Sequence, residues 1–368
     1  MELKIITNED EFRNLSKEWD ELCNQVKPFV FQYHYWLWTW WQTEGKQEGE
    51  QLYIVTGRID GKLILILPLV THSFSGIKIL KWLAEEPSDY CDIIIDKNIE
   101  PEQYIKQAWQ LIKKHSKTDV IQFTRLREDS VFYKVLGEEL ASIYDTVAPY
   151  VNCSAENNWE NYYKSKIKGG LRRDQGRKRR RLAEHGKVEF KVYENSVPLQ
   201  EDLIKYVLEK KYSQYTGKGV PKNMRSNFYQ EFAKLAHQHG HLHLSSLKVG
   251  DKILAVHFGV CDSDRMYWYI PVFEEDWYKY SPGRILLEEL IKLSFTQKLK
   301  YFDFLFGDER YKSDWSHGEM KIYKCIIPKS LKGYGYMWWK NSLRPRLRSL
   351  YLATPSFVKK ITIGVLKK

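Results

Sequence analysis

Apolar positions along this chain recur with periods of about two and about 3.6 residues, and the two rhythms alternate. Residues 3–6 read as a strand. Over 8–25, Phe12, Leu15, Trp19 and Leu22 keep helical spacing. The stretch FQYHYWLWTWW, 31–41, sets Trp36, Trp40 and Trp41 on one helical face. That placement predicts core packing; an aromatic wall facing a substrate is the other reading. In LYIVTGRIDGKLILILPLV, 52–70, two apolar runs flank Asp60-Gly61, a dipeptide suited to a tight hairpin turn. Strands are predicted at 91–95, 119–124 and 146–152, with helical patterns at 99–115 and 130–140 between them.

The second half has a similar grammar. Helices are predicted at 198–215 and 225–239, then a hairpin in LHLSSLKVGDKILAVHFGV, 242–260. This stretch aligns without a gap on 52–70: Leu52 falls on Leu242, Lys62 on Lys252 and Val70 on Val260. Asp60-Gly61 lies opposite Gly250-Asp251, so the pattern favours an internal duplication over two unrelated hairpins. A strand at 266–272, a helix at 282–298 and a buried strand at 301–306 follow. Helices mixed with short strands in two similar halves imply two α/β units. No Gly/Ser or Pro linker marks the boundary near 150–165, so the halves are expected to pack closely.

Composition narrows the class. With 368 residues the chain has room for two domains, and 43% hydrophobic with 29% charged residues is globular. The net charge is 58 − 47 = +11, and KSKIKGGLRRDQGRKRRRLAEHGK, 164–187, holds eleven Lys or Arg against Asp174 and Glu184. The excess is thus one patch, which fits a local anionic ligand as well as a long polyanion. Cys23, Cys91, Cys153, Cys261 and Cys325 are far apart, odd in number and form no CxxC, which points to reduced thiols. His237, His239, His241 and His243 alternate without a carboxylate cluster or cysteine, and no metal site is expected. The start, MELKIITNED, lacks the pattern of a signal peptide, and KLILILPLV, 62–70, is too short to span a bilayer. A cytoplasmic protein, membrane-peripheral at most, is the expectation.

Two pieces carry candidate chemistry. In WYIPVFEEDWYKYSPGRILLEELI, 268–291, a strand ends and a helix begins, with Ser281 as the predicted N-cap and Pro282 in the first turn. Gly283 and Arg284 follow. Free N–H groups, the helix dipole and one guanidinium make an anion site; an ordinary capped helix is the plain alternative. In YFDFLFGDERYKSDW, 301–315, Asp303 interrupts an apolar strand, and Asp308, Glu309, Tyr311 and Lys312 crowd the next loop. Acids, a phenol and an amine just past a strand end suit proton transfer; a solvated loop is the alternative. His257, on the second hairpin, reads as either a core histidine or a general base.

These pieces carry a resemblance. The succession of basic helix, hairpin, strand, YSPG-helix, strand FDF and GDERYK resembles the acetyltransferase-like proteins associated with cellulose and exopolysaccharide synthesis, in the GNAT superfamily. The likeness covers about 160–315. The first half is similar more weakly, through FQYHYWLWTWW, the ILPLV hairpin and SDYCD at 88–92. In its double-GNAT layout the family is also similar to Fem-type transferases, which add amino acids to peptidoglycan precursors. The resemblance implies an α/β (α+β) fold of two tandem GNAT-like lobes, 1–155 and 156–330, each a mixed, mostly antiparallel sheet flanked by helices. Residues 331–368 would be a basic, aromatic extension. It implies acyl transfer from acyl-CoA, acetyl-CoA above all, to an amine or hydroxyl of a sugar, nucleotide-sugar, lipid-linked or other cell-envelope precursor.

By the same resemblance, Tyr280, Ser281, Pro282, Gly283 and Arg284 match the position that holds the donor's pyrophosphate. The common Gln/Arg-x-x-Gly-x-Gly/Ala loop is absent there, which leaves an acyl carrier or aminoacyl-tRNA as alternative donors. Asp303 or Asp308 is the expected base, directly or through a water, and Tyr311 would protonate the leaving thiolate. Lys312 would support developing charge or hold an acceptor carboxylate or phosphate. Asp89, Tyr90, Asp92 and Tyr269 would line the acceptor side. Arg172, Arg173 and Arg177 would meet a phosphate-rich partner from the basic helix; a solvated face is the bland reading, and nucleic acid other than tRNA is not expected. A degenerate, non-catalytic pair of lobes that holds a polyanion is the competing class. The C-terminus, aromatic and basic and almost without acids, suits either an anionic membrane surface or a docked terminal helix.

Overall fold

A computed structural model describes residues 1–344, apart from 157 and 216–226, together with Arg346. The first half carries β1 (Glu2–Ile6), β2 (Gln51–Leu52), β3 (Ile54–Ile59), β4 (Lys62–Leu67), β5 (Leu69–Phe74), β6 (Ile77–Trp82), β7 (Ile94–Ile95), β8 (Val120–Arg127) and β9 (Ile143–Asn152). The second carries β10 (Val188–Tyr193), β11 (Leu242–Val249), β12 (Lys252–Cys261), β13 (Arg265–Phe273), β14 (Tyr301–Asp303) and β15 (Gly318–Pro328). β1, β3, β4 and β7 form a small antiparallel sheet. The rest form one sheet in the order β10-β11-β12-β13-β14-β9-β15-β8-β6-β5-β2.

Two pairings in the large sheet are parallel, β13 with β14 and β6 with β8. Each joins strands separated by a 15-residue helix with proline in its first turn, Pro101–His115 in the first half and Pro282–Thr296 in the second. The two helices start 181 positions apart (282 − 101), close to the 190-residue offset of the hairpins. At the middle of the sheet the halves trade strands. β9, the last strand of the first half, lies between β14 and β15; β15 lies between β9 and β8.

Both predicted hairpins form. Asp60 and Gly61 turn the β3–β4 hairpin with φ of 48° and 77°, the mirror-image turn that favours such residues. Helices at Glu9–Asn14, Ser16–Val26 and His34–Trp40 pack over the centre, where Phe12, Trp19, Trp36 and Trp40 are fully buried. Trp36 meets Phe228 and Phe232 of the helix Phe228–Gln238, with ring centroids 5.1 and 4.6 Å apart. The tryptophan-rich stretch is therefore core, and it ties the halves together. The predicted strand at 91–95 shrinks to Ile94–Ile95, and that at 301–306 stops at Asp303. The sequence reading assigns no element to β5, β6, β10 or β15.

All five cysteines are free. Of the alternating histidines, His239 stacks on Tyr35 and His241 Nδ1 meets the Tyr35 hydroxyl at 2.8 Å. Among the described residues no helix is long and apolar enough to cross a membrane. The helix Leu331–Trp338, with Ser330 Oγ accepting from Gly333 N, runs on into a wider turn at Trp339–Leu343. These residues belong to the expected extension, 331–368, of which 345 and 347–368 lie outside the described residues.

Candidate active site

The site begins where β13 and β14 part. Arg265, Met266 and Tyr267 pair with Tyr301, Phe302 and Asp303, and there the pairing ends. β13 runs on beside β12 to Phe273, whereas Phe304 N and Gly307 N turn to Pro149 and Val147 carbonyls of β9. A wedge opens between the diverging chains. Two clefts occupy it, and they share Trp268, Pro271 and Tyr311.

The first cleft, about 440 Å³, lies at the start of the helix Pro282–Thr296. Ser281, Pro282, Gly283 and Arg284 line it with Lys178, Lys279, Phe273 and Tyr278. Ser281 is not the side-chain N-cap that was predicted. Its backbone is left-handed (φ 52°), its side chain caps nothing, and its hydroxyl accepts from Lys178 Nζ at 3.0 Å. The first turn thus carries no side-chain cap, which suits it to an incoming anion. Gly283 keeps the wall open, since a Cβ there would lie 3.3 Å from Phe273 Cδ1. Tyr280, expected here, is buried instead and meets His185 Nε2 at 2.7 Å through its hydroxyl.

The basic helix, Gly169–Ala183, packs beside this cleft. Gln175 donates to the Arg284 carbonyl, and Arg179 pairs with Glu289 at 2.6 Å. Lys178, not singled out from the sequence, lines the cleft. Arg172, Arg173 and Arg177 line neither cleft: Arg172 donates to the Lys164 carbonyl, Arg177 pairs with Asp174 and Arg173 is exposed. The helix buries Leu182 and Gln175 and turns Arg173, Arg177, Arg180 and Arg181 to solvent.

The second cleft, about 460 Å³, is built by both halves. Asp89, Glu86 and Arg125 come from the first; Lys211, Tyr269, Glu309, Tyr311 and Lys312 come from the second. Burial pushes the Asp89 carboxyl up to about 7, against the pull of Arg125 and Lys312. Tyr311 accepts from Trp268 Nε1 at 3.0 Å, and burial raises its phenol to about 12. Lys312 donates to the Phe306 carbonyl at 3.0 Å and pairs with Glu309 at 2.8 Å. Tyr269 donates to the Pro87 carbonyl at 2.8 Å and rests against Trp36. Arg125, Leu305 and Ser281 all have left-handed backbones (φ 60°, 63° and 52°), so three of the residues lining the two clefts are held in costly conformations.

Asp303, expected as a base, is fully buried and lines neither cleft. It accepts from Tyr90 Oη at 2.6 Å, Leu305 N at 2.8 Å and Arg265 Nη1 at 3.1 Å, with Arg127 Nη1 at 3.5 Å. Tyr90 is consumed in that network. Asp92 accepts from Ile93, Val131 and Phe132 backbone N–H groups and faces a separate cavity. His257 is fully buried, with burial holding its pKa far below the usual value, and its ring stacks on Trp268 at 4.9 Å. It supports the shared wall instead of facing a substrate. Asp308 is exposed and lines neither cleft. What the sequence could not single out was Arg125 and Lys211, lone cations far from any motif.

Residues 169–313 match the family model of an acetyltransferase (GNAT) domain. No curated protein matches the chain. Among solved structures the fold is similar to FemX, at 10% identity over 87% of this chain and 97% of that one, with a TM-score of 0.56. It is similar to the C-terminal domain of a putative lysylphosphatidylglycerol synthetase from Agrobacterium fabrum, at 11% identity over 89% and 96%, TM-score 0.56. A conserved protein of unknown function from Bacteroides thetaiotaomicron aligns at 10% identity over 89% and 100%, TM-score 0.53. Such identities speak for fold alone. The chain is a mixed α/β protein with mostly antiparallel sheets flanked by helices, its second half matches the acetyltransferase (GNAT) domain, and both clefts draw on that matching stretch.

Proposed function

We propose that the protein transfers an acyl group from a thioester donor, acyl-CoA, to an amine or hydroxyl of a sugar or cell-envelope precursor. One observation carries the reading: a cationic cleft at an uncapped helix start and a polar cleft holding the buried Asp89 carboxyl, which burial pushes up to about 7, meet at Tyr311. The donor's phosphates would rest on the first turn at Pro282–Arg284 and on Lys178, with its acyl end between Trp268 and Tyr311. The acceptor would lie in the second cleft. Asp89, as carboxylate, takes the proton of the acceptor as its N or O attacks the thioester carbon. The new C–N or C–O bond forms, the C–S bond breaks, and the Tyr311 hydroxyl protonates the departing thiolate. Solvent then carries the proton from Asp89 back to Tyr311.

Calorimetric titration with acetyl-CoA and CoA, repeated with Gly283→Glu, tests the donor site. Micromolar binding lost in the variant is the expected result; absence of binding to both ligands would overturn acyl-CoA as the donor. A second reading, aminoacyl transfer from tRNA, is favoured by the solvent-facing Arg173, Arg177, Arg180 and Arg181 beside the donor cleft. It predicts affinity for charged tRNA that falls steeply with salt.

A membrane address is part of the proposal. After Glu319 the sequence has twelve Lys or Arg and no acid. Within that stretch Leu331, Tyr334 and Trp338 recur on one helical face and are exposed by 90%, 57% and 60%. An apolar stripe bordered by cations suits an anionic lipid surface. Vesicles containing phosphatidylglycerol should sediment the protein and neutral vesicles should not. Equal sedimentation by Leu331→Ser/Trp338→Ser would count against it.

A further inference from the structure

Arg125 is out of place in a folded interior. It sits at a β-bulge, where β8 spends three residue steps (Leu126 to Phe123) against two on β15 (Tyr323 to Cys325). Its backbone is left-handed, φ 60°, a conformation that a non-glycine residue adopts only under strain. The bulge turns the side chain into the acceptor cleft, where its guanidinium lies 3.7 Å over the Phe306 ring. The side chain is 21% exposed, Nη1 is buried without a hydrogen-bond partner, and the nearest acid oxygen, Asp89 Oδ1, is 3.9 Å away. Arg127, two residues on, makes the contrast: it donates to both oxygens of Asp129 at 2.8 and 2.9 Å.

The other charges of the cleft do not answer Arg125. Lys312 and Glu309 satisfy each other, and Glu86 turns to Lys81 at 3.4 Å. Asp89 stands at 3.9 Å, beyond hydrogen-bond distance of Nη1, and burial pushes its carboxyl up to about 7 against the pull of Arg125. Lys211 also lines the cleft; its ammonium lies 5.7 Å from the Tyr215 ring, and burial lowers its pKa against the pull of Glu309, with which no hydrogen bond forms. Two cations therefore face the acceptor space without a hydrogen-bonded counter-charge among the described residues. A buried fork of N–H donors is costly when left unmade, and its geometry matches a carboxylate or a phosphate.

We propose that the acceptor is an anion, carrying a carboxylate or phosphate that Arg125 binds through its fork and Lys211 supports, a few bonds from the nucleophilic amine or hydroxyl at Asp89. The inference rests on the acyl-transfer reading only for the word acceptor; the anion site stands on its own geometry. Phe306 holds the guanidinium plane, and the strained bulge sets its direction. A neutral acceptor of the same shape would leave the fork unpaired and bind less well.

Equilibrium binding separates this from catalysis. Glucose, glucuronate and glucose 6-phosphate serve as matched neutral, carboxylate and phosphate probes, titrated at millimolar concentration and followed by calorimetry. At least one anionic probe should bind about tenfold or more tighter than glucose, a difference of about 1.4 kcal/mol. The probe that binds better identifies the anion. Arg125→Gln should abolish the preference with glucose unchanged, and Lys211→Met should reduce it. Arg125→Lys should restore it only in part, since an ammonium cannot present a fork. Equal affinity for all three probes, no binding by either anion, or an unchanged preference in both Arg125→Gln and Lys211→Met overturns the proposal. CoA titrated against the same variants should bind as to the wild type, so loss of the donor reading and loss of the anion site give different results.

Discussion

Asp89 and Asp303 both lie where the halves meet, and their surroundings assign them opposite work. Asp303 is held by a phenol, a backbone N–H and two guanidinium groups drawn from both halves. Removing such a carboxylate leaves Arg127 and Arg265 with an unbalanced charge, so Asp303→Ala should cost about 3–5 kcal/mol in chemical unfolding. Asp89 has no comparable cage. Its folded pKa, about 7, stands above the ordinary 3.8, so the folded state binds the extra proton between those values. The stability it contributes is complete below about pH 4 and fades as pH rises through 7. Asp89→Asn should therefore gain melting temperature relative to wild type at pH 8 but not at pH 4. The same variant should lose about 10²–10⁴-fold in kcat/KM, along with a rising limb near pH 7. Tyr311→Phe should keep the fold and lower kcat; unchanged turnover would remove Tyr311 from the chemistry. Composition and spacing picked out Asp303 as unusual. They could not say that its charge is spent, because its partners Tyr90 and Arg127 lie about 200 positions earlier in the chain.

At the scale of elements, the local signals that proved legible were those a few residues long. Asp60-Gly61 and Pro282 act within one turn, and both mark the elements they predict. The strand predicted at 301–306 fails for a reason that is not local: β13 diverges at Tyr267, and the chain from Phe304 follows β9 instead. Gly307 completes that departure with φ 124°, and a Cβ there would lie 2.4 Å from Glu309 Oε2 and 3.1 Å from Lys312 Nζ. Gly307→Ala should destabilise the protein by about 1–3 kcal/mol and disturb the Lys312–Glu309 pair, read as a lower melting temperature and weaker acceptor binding. The bulge at Arg125 left no trace in the sequence, since Thr124-Arg125 resembles any polar pair in a strand. β15 was missed because its alternation is short: Glu319 to Ile322 alternate polar and apolar, but the phase slips between Ile322 and Cys325, where the register also shifts.

For the molecule as a whole, a similar order of elements in the two halves was readable and their wiring was not. Two hairpin-like stretches of equal length, 52–70 and 242–260, suggest two similar halves, but nothing in either half says that their last strands change places. β9 pairs with β14 and β15, and β8 pairs with β15 on the side away from β6. The exchange also brings Asp89 and Arg125 to face Tyr311 and Lys312 across one cleft, so the site exists only when both halves are present. Fragments 1–155 and 156–368 expressed apart should each be insoluble, and together should regain soluble material; a soluble, cooperatively melting 1–155 fragment would contradict this. The exchange has a consequence during synthesis. When the ribosome has finished the first 155 residues, β9 has no strand to pair with and β8 has one bare edge; β9 waits for Tyr301–Asp303, and its other edge and that of β8 wait until Gly318–Pro328 leaves the exit tunnel. At about 5–20 residues per second that interval is on the order of ten to thirty seconds, long enough for an open edge to find the wrong neighbour. Overexpression yield should therefore depend on translation speed and on chaperones that shield nascent strands more than the stability of the finished protein would suggest.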